Sequence, residues 1–155
     1  MKKKLGVYKM SNDFLKHATL VEIAGKGVLL CGKSGVGKSD LAFRLIENHK
    51  AVLVADDMVL VTPQNNELYG EAPENLKGLL EVRGVGIAKY PYFEKCKIDL
   101  VVDLLENDDK TERLPELLKV RFFDFELLYL RLCAFEASAP QKILLKLRDN
   151  LLETE

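Results

Sequence analysis

The sequence predicts a strand-rich α/β fold with a mixed sheet, and three observations carry that reading. Short apolar runs with strand spacing far outnumber helical patterns. A glycine-rich loop stands between one such run and an amphipathic segment, in the order strand, loop, helix. Most links between the runs are too short for the dozen or more residues of a crossover helix, so many neighbouring strands must be antiparallel.

Taken in order, residues 1–16 are weakly patterned and read as an N-terminal arm or leader strand. His17 to Ala24 follows as a strand through Leu20, Val21 and Ile23, turning at Gly25-Lys26-Gly27 into the apolar strand Gly27 to Cys31. Asp40 to His49 has the spacing of an amphipathic helix. Ala51 to Ala55 is a fully apolar strand ending in Asp56-Asp57, and Met58 to Thr62 continues extended to Pro63. After a turn at Gln64-Asn65-Asn66, Glu67 to Ala72 and Leu79 to Val82 read as strands and Arg83 to Gly86 as a glycine-bracketed loop. Ile98 to Leu105 is the longest strand candidate outside the glycine-loop unit, and the charged stretch Glu106 to Glu112 is a solvated loop. Leu118 to Phe123 and Glu126 to Leu132 are two more strands joined through Asp124. Ala139 to Leu152 is the second helix, with Ile143, Leu144, Leu147, Leu151 and Leu152 on one face, Ser138 as N-cap and Pro140 in the first turn.

The chain has 155 residues, 48% hydrophobic and 30% charged, enough for a single domain over 1–155. With 23 basic and 24 acidic residues, the net charge of -1 lends no support to a polyanion-binding protein, so no nucleic-acid partner is expected. Cys31, Cys96 and Cys133 are odd in number and lack metal-site spacing, which suits a reducing cytoplasm. The segment Leu5 to Phe14 is broken by Gly6, Lys9, Asn12 and Asp13 and cannot serve as a signal-peptide core. No apolar run approaches the roughly 18 residues of a membrane span, so no membrane partner is expected.

Gly32-Lys33-Ser34-Gly35-Val36-Gly37-Lys38-Ser39 satisfies the pattern G-x-x-x-x-G-K-[ST] without a mismatch. Its glycines allow positive φ, so successive N–H groups can turn toward phosphate oxygens. Lys38 supplies a cation at the β/γ bridge. Ser39 offers a hydroxyl to Mg²⁺, and the helix N-terminus behind it favours an anion. Phosphoryl transfer then needs carboxylates beside the loop, to hold metal water or accept a proton. Asp56-Asp57, at the end of an apolar strand, suits those roles, with a turn or cap pair as the plainer alternative. Asp103, within an apolar strand, competes for the metal side. Glu81, Arg83, Arg113 and His17 carry little signal on their own.

The segments HATLVEIAGKGVLLCGKSGVGKS (His17 to Ser39), VLVADDMVLV (Val52 to Val61) and LLEVRGVGIA (Leu79 to Ala88) together resemble the catalytic domain of the HPr kinase/phosphorylase family. That family phosphorylates a serine of HPr, the phosphocarrier protein of the bacterial sugar phosphotransferase system. The resemblance spans about His17 to Arg113 and implies a phosphoenolpyruvate-carboxykinase-like P-loop kinase fold. It implies ATP held by Gly32 to Ser39, with Lys38 on the phosphates and Ser39 on Mg²⁺. Asp57 matches the proton acceptor, Asp56 its acidic neighbour on the metal side, and Glu81 a magnesium-associated glutamate. Arg83 to Ala88 matches the catalytic segment that follows. His17 matches an active-site histidine, and Arg113 an arginine in a D-K-T-x-x-R-L-like stretch that is one residue shorter here.

Two departures shape the expectation. Family members carry an N-terminal domain of comparable size, whereas sixteen residues precede His17, so a short variant is implied. The V-P-V-x-P-G-R-N-type loop tied to dephosphorylation is replaced by Leu130 to Pro140, reading LRLCAFEASAP. The expected activity is therefore that of an ATP- and Mg²⁺-dependent serine kinase acting on HPr or an HPr-like carrier, with weak phosphorylase activity at most. By resemblance it is a cytoplasmic homo-oligomer, a hexamer. The rival readings are a nucleotide-sensing module without transfer activity and a small-molecule kinase on the same fold.

Overall fold

The computed structural model describes residues 2–4, 7–107, 111–116 and 118–148. In chain order the strands and helices are β1 (Lys2–Lys4), β2 (Val7–Lys9), β3 (Leu15–Lys16), β4 (Ala18–Ile23), β5 (Lys26–Cys31), α1 (Lys38–His49), β6 (Val52–Ala55), β7 (Val59–Gln64) and β8 (Glu67–Glu71). Then follow a 3-10 turn (Glu74–Leu76), β9 (Leu79–Val82), β10 (Gly86–Lys89), β11 (Cys96–Leu104), β12 (Lys119–Phe122), β13 (Phe125–Leu132) and α2 (Ala139–Arg148).

The sheet runs β1-β2-β12-β13-β11-β5-β4-β6, with β3, β7 and β8 joined to it through a β8–β11 pairing. The strands β5, β11 and β13 are mutually parallel, and most other pairs are antiparallel. Since β4 is antiparallel to both β5 and β6, β6 also runs with the parallel set. The carboxyl ends of β5, β6, β11 and β13 therefore share one edge of the sheet. The predicted mixed, strand-rich α/β sheet is what forms.

Local chemistry explains the hairpins. Each of the turns Ala24-Gly25, Asn65-Asn66 and Phe123-Asp124 has positive φ at both central residues, the twist that fits two-residue connections between antiparallel strands. β5, reading KGVLLC, is buried at four successive positions because both faces of the sheet are covered. On one face, Leu41, Ala42 and Leu45 of α1 and Ile143 and Leu147 of α2 pack on Val28, Leu30, Leu100 and Val102. On the other, Val59, Val61 and Leu68 from the β7–β8 hairpin meet Leu20, Leu29, Ile98 and Val101.

The differences from expectation have physical causes. β7 continues through Pro63 to Gln64, since its β3 pairing covers only Val59 and Leu60 and no partner needs the missing Pro63 N–H. β10 begins at Gly86, where the expected loop ends, and runs over residues whose sequence shows no strand pattern. It is a strand pairing only with β9 in a separate two-stranded sheet, and Ile87 on it is 71% exposed, so no burial pattern marks it. The helix α2 is described to Arg148, and Leu151 and Leu152 lie outside the described residues. Lys142 N–H donates to Ser138 O, which makes Ser138 the first residue whose carbonyl enters the helix. Among the described residues no helix is long and apolar enough to cross a membrane.

Candidate active site

The glycine loop leaves the carboxyl end of β5 and enters α1 at Lys38. Gly37 caps the helix at φ 101° and ψ 23°, and a Cβ there would stand 2.9 Å from Ala134 Cβ and from the ring of Phe135. Glycine is required at this position both by its conformation and by close packing. Lys38 Nζ donates to the carbonyls of Gly32 (2.7 Å) and Lys33 (2.9 Å), so the ammonium group lies along the loop.

β6 brings Asp56 and Asp57 to the same edge. Asp56, 6% exposed, is a hub: its Oδ1 accepts from Ser39 Oγ (2.7 Å) and Thr19 Oγ1 (2.8 Å), and its Oδ2 accepts from Glu81 N–H (3.3 Å). One carboxylate thus fixes the serine of the loop, β4 and β9 relative to one another. Asp57, exposed, has φ 70°, and Met58 N–H donates to Asp56 O across it at 2.8 Å. This i to i+2 bond with positive φ is the strained form of γ-turn, which swings the Asp57 side chain out of the strand line.

These residues surround a cleft of about 230 Å³, lined by Thr19, Ser34, Gly35, Gly37, Lys38, Ser39, Asp40, Asp57, Glu81, Arg83 and Phe135. That is smaller than the roughly 300–1,000 Å³ of pockets enclosing a drug-sized ligand. It suits a phosphate chain, leaving the rest of a nucleotide at the rim.

Of the residues predicted for the site, Ser34, Gly35, Gly37, Lys38, Ser39, Asp57 and Glu81 line the cleft, with Asp56 bonded to Ser39 behind it. Two expected catalytic residues, His17 and Arg113, do not line it. His17 is exposed at the bend before β4, one step beyond the Ala18–Cys31 register pair and so level with Gly32. Arg113 is exposed in the segment between β11 and β12. Gly32, Lys33 and Val36 belong to the loop but not to the cleft wall: Val36 is buried in the helix-side core, and Lys33 pairs with Glu106 at 2.7 Å on the surface. The rival carboxylate Asp103 faces elsewhere, accepting from Tyr129 OH at 2.9 Å, and Tyr129 belongs to the core on the face away from α1.

Sequence reasoning missed Thr19 and Phe135. Threonine is an ordinary strand residue, so Thr19 gave no signal. Phe135 falls in the Leu130 to Pro140 stretch, legible only as a departure from a motif.

Among the described residues no group of three or more His, Cys, Asp or Glu side chains could hold a metal ion by itself. Mg²⁺ commonly takes one or two protein ligands and completes its shell with water and substrate phosphates. The Ser39 hydroxyl, donating its proton to Asp56 and keeping its lone pairs free, fits that mode.

A family model described as the HPr Serine kinase C-terminal domain matches residues 8–131. The chain is similar to the HPr kinase/phosphorylase of Malacoplasma penetrans, 38% identical over 116 residues that cover 70% of this chain and 38% of that protein. It is similar also to that of Peptoclostridium acidaminophilum, 55% identical over 81 residues covering 51% and 26%. The chain thus spans less than half the length of these curated relatives. Among solved structures, the Hpr(Ser) kinase/phosphatase from Coxiella burnetii matches with a TM-score of 0.76 at 24% identity, covering 87% of this chain and 88% of that one.

Proposed function

The chain belongs to the HPr serine kinase C-terminal domain family, and on that premise we propose that it is an ATP- and Mg²⁺-dependent kinase transferring the γ-phosphoryl group to a serine of HPr or an HPr-like carrier. The observation that carries this reading is the shared cleft, where the phosphate loop and the carboxylate of Asp57 face one space. In the proposed reaction Lys38 and the loop hold the phosphate chain. Asp57 accepts the proton of the attacking seryl hydroxyl as the new O–P bond forms and the bond from the γ-phosphorus to the β-bridging oxygen breaks. When bound, Mg²⁺ neutralises charge on the phosphates, and Ser39, Asp56 and Glu81 are the residues to hold it or its waters. Asp56 also fixes the Ser39 hydroxyl, while Arg83 places a cation on the acceptor side.

The same Asp57, once protonated, can return its proton to serine leaving phosphoserine, so weak phosphorylase activity with inorganic phosphate as acceptor belongs to the proposal. So do a cytoplasmic setting, one catalytic domain over 1–155 and a homo-oligomeric, hexameric assembly. His17 and Arg113, outside the cleft wall, are proposed to act on the bound substrates from its margin.

The test is incubation with γ-labelled ATP, Mg²⁺ and the host's HPr-like carriers, followed by mapping of any phosphoserine. Asp57→Ala is expected to abolish labelling while leaving ATP affinity within about threefold, because a general base contributes to transfer rather than to ground-state binding. Lys38→Ala is expected to weaken both. Nucleotide binding with every carrier unlabelled would instead favour a sensing module, and labelling that survives Asp57→Ala but not Asp103→Ala would place the base on the wrong carboxylate.

A further inference from the structure

Resting on the reading of the cleft as a nucleotide site, we infer that Phe135 is the platform on which the nucleoside end of the donor packs. Sheet order supplies the direction. The phosphate loop follows β5, Asp57 follows β6 two strands to one side, and Phe135 follows β13 two strands to the other. All three strands end at the same edge. A donor whose terminal phosphate points toward Asp57, Glu81 and Arg83 must therefore carry its sugar and base toward the β13 side, where Phe135 lines the cleft.

The local chemistry fits that use. Phe135 is 62% exposed, although a phenyl ring gains by being covered, and it rests beside Gly37 at the mouth of the loop. The cleft itself, about 230 Å³, has room for little more than a phosphate chain, and Phe135 stands in its wall. The segment bearing the ring is held in place. Arg44 of α1 donates to the carbonyls of Ala134 and Glu136, Glu136 N–H donates to Cys133 O (3.3 Å), and the Glu136 carboxylate pairs with Lys142 at the start of α2. An aromatic ring fixed in advance loses little freedom when a base stacks on it. The helix that carries the phosphate-binding lysine thus also positions the proposed stacking ring, through Arg44 six residues further on.

Affinities for ATP and for sodium tripolyphosphate, each with Mg²⁺, test this by calorimetry on the full chain. Phe135→Ala is expected to weaken ATP by about tenfold and to leave tripolyphosphate within about twofold, while Phe135→Tyr, which keeps the ring, holds ATP within about twofold. Unchanged ATP affinity in Phe135→Ala overturns the inference. So does an equal loss for both ligands, which would mean that the ring acts by packing on Gly37, or a Tyr variant as weak as the Ala variant. If the wild-type chain binds neither ligand, the nucleotide-site reading falls and this inference with it; binding of both with an unaltered Phe135→Ala would remove only the inference.

Discussion

Asp57 occupies a conformation that its own side chain disfavours. A non-glycine residue at φ 70° inside a three-residue turn carries strain of about 1–3 kcal/mol, and its exposed side chain stands in the wall of the cleft. The strain does nothing for the fold, which is explained if the position is kept for chemistry. Asp57→Gly should relieve the backbone, at the expense of greater chain entropy in the unfolded state. The expected outcome is a rise of about 1 kcal/mol in unfolding free energy by urea titration together with complete loss of phosphoryl transfer. A variant less stable than the parent would show that the turn is not strained. Asp56 behaves oppositely: buried and accepting three hydrogen bonds, it holds β4, β9 and α1 together, so its removal would cost structure.

Among the elements, the β7–β8 hairpin packs closely enough for one added methyl group to test it. It lies against the sheet face opposite the helices, and Gly70 of β8 makes the approach possible: a Cβ there would stand 2.5 Å from Leu20 Cδ2 and 3.0 Å from Val59 Cγ1. Both neighbours are fully buried, so their side chains would have to shift against the surrounding core. Gly70→Ala is therefore expected to cost about 1–3 kcal/mol through overpacking, measured as a lower urea midpoint with unchanged slope. A neutral substitution would mean that the hairpin slides on the sheet. Since the hairpin lies on the face away from α1, ATP affinity in the folded variant should stay at the parental value.

Across the whole molecule, legibility followed burial and motif density. β5 and the following helix were readable because an apolar run, the three loop glycines Gly32, Gly35 and Gly37 and an amphipathic spacing coincide within Gly27 to His49, and β6 because Ala51 to Ala55 has no polar interruption. β10 was not, because its side chains bury almost nothing and periodicity is a record of burial. Asp103 could not be assigned a face from sequence, since a strand buried on both sides offers no polar face to count from; the structure turns it to Tyr129. The side opposite the helices also holds the groups whose titration ties stability to pH. Burial pushes the thiols of Cys31 and Cys96 up to about 12, with Asp103 adding to the first and Glu22 and Asp99 to the second, and burial likewise raises the Tyr129 phenol. In the unfolded chain these thiols ionise near 9. Below that pH both states hold the protons and stability is independent of them. Between about 9 and about 12 the unfolded state releases protons that the folded state keeps, so it binds fewer, and unfolding free energy must fall as pH rises. Urea midpoints measured at pH 8, 9, 10 and 11 should be level at first and then decline, and Cys96→Val, which fills the site without a titratable proton, should make the decline shallower. A midpoint constant to pH 11 would mean that these thiols ionise without unfolding, and hence that water reaches the face beneath the sheet.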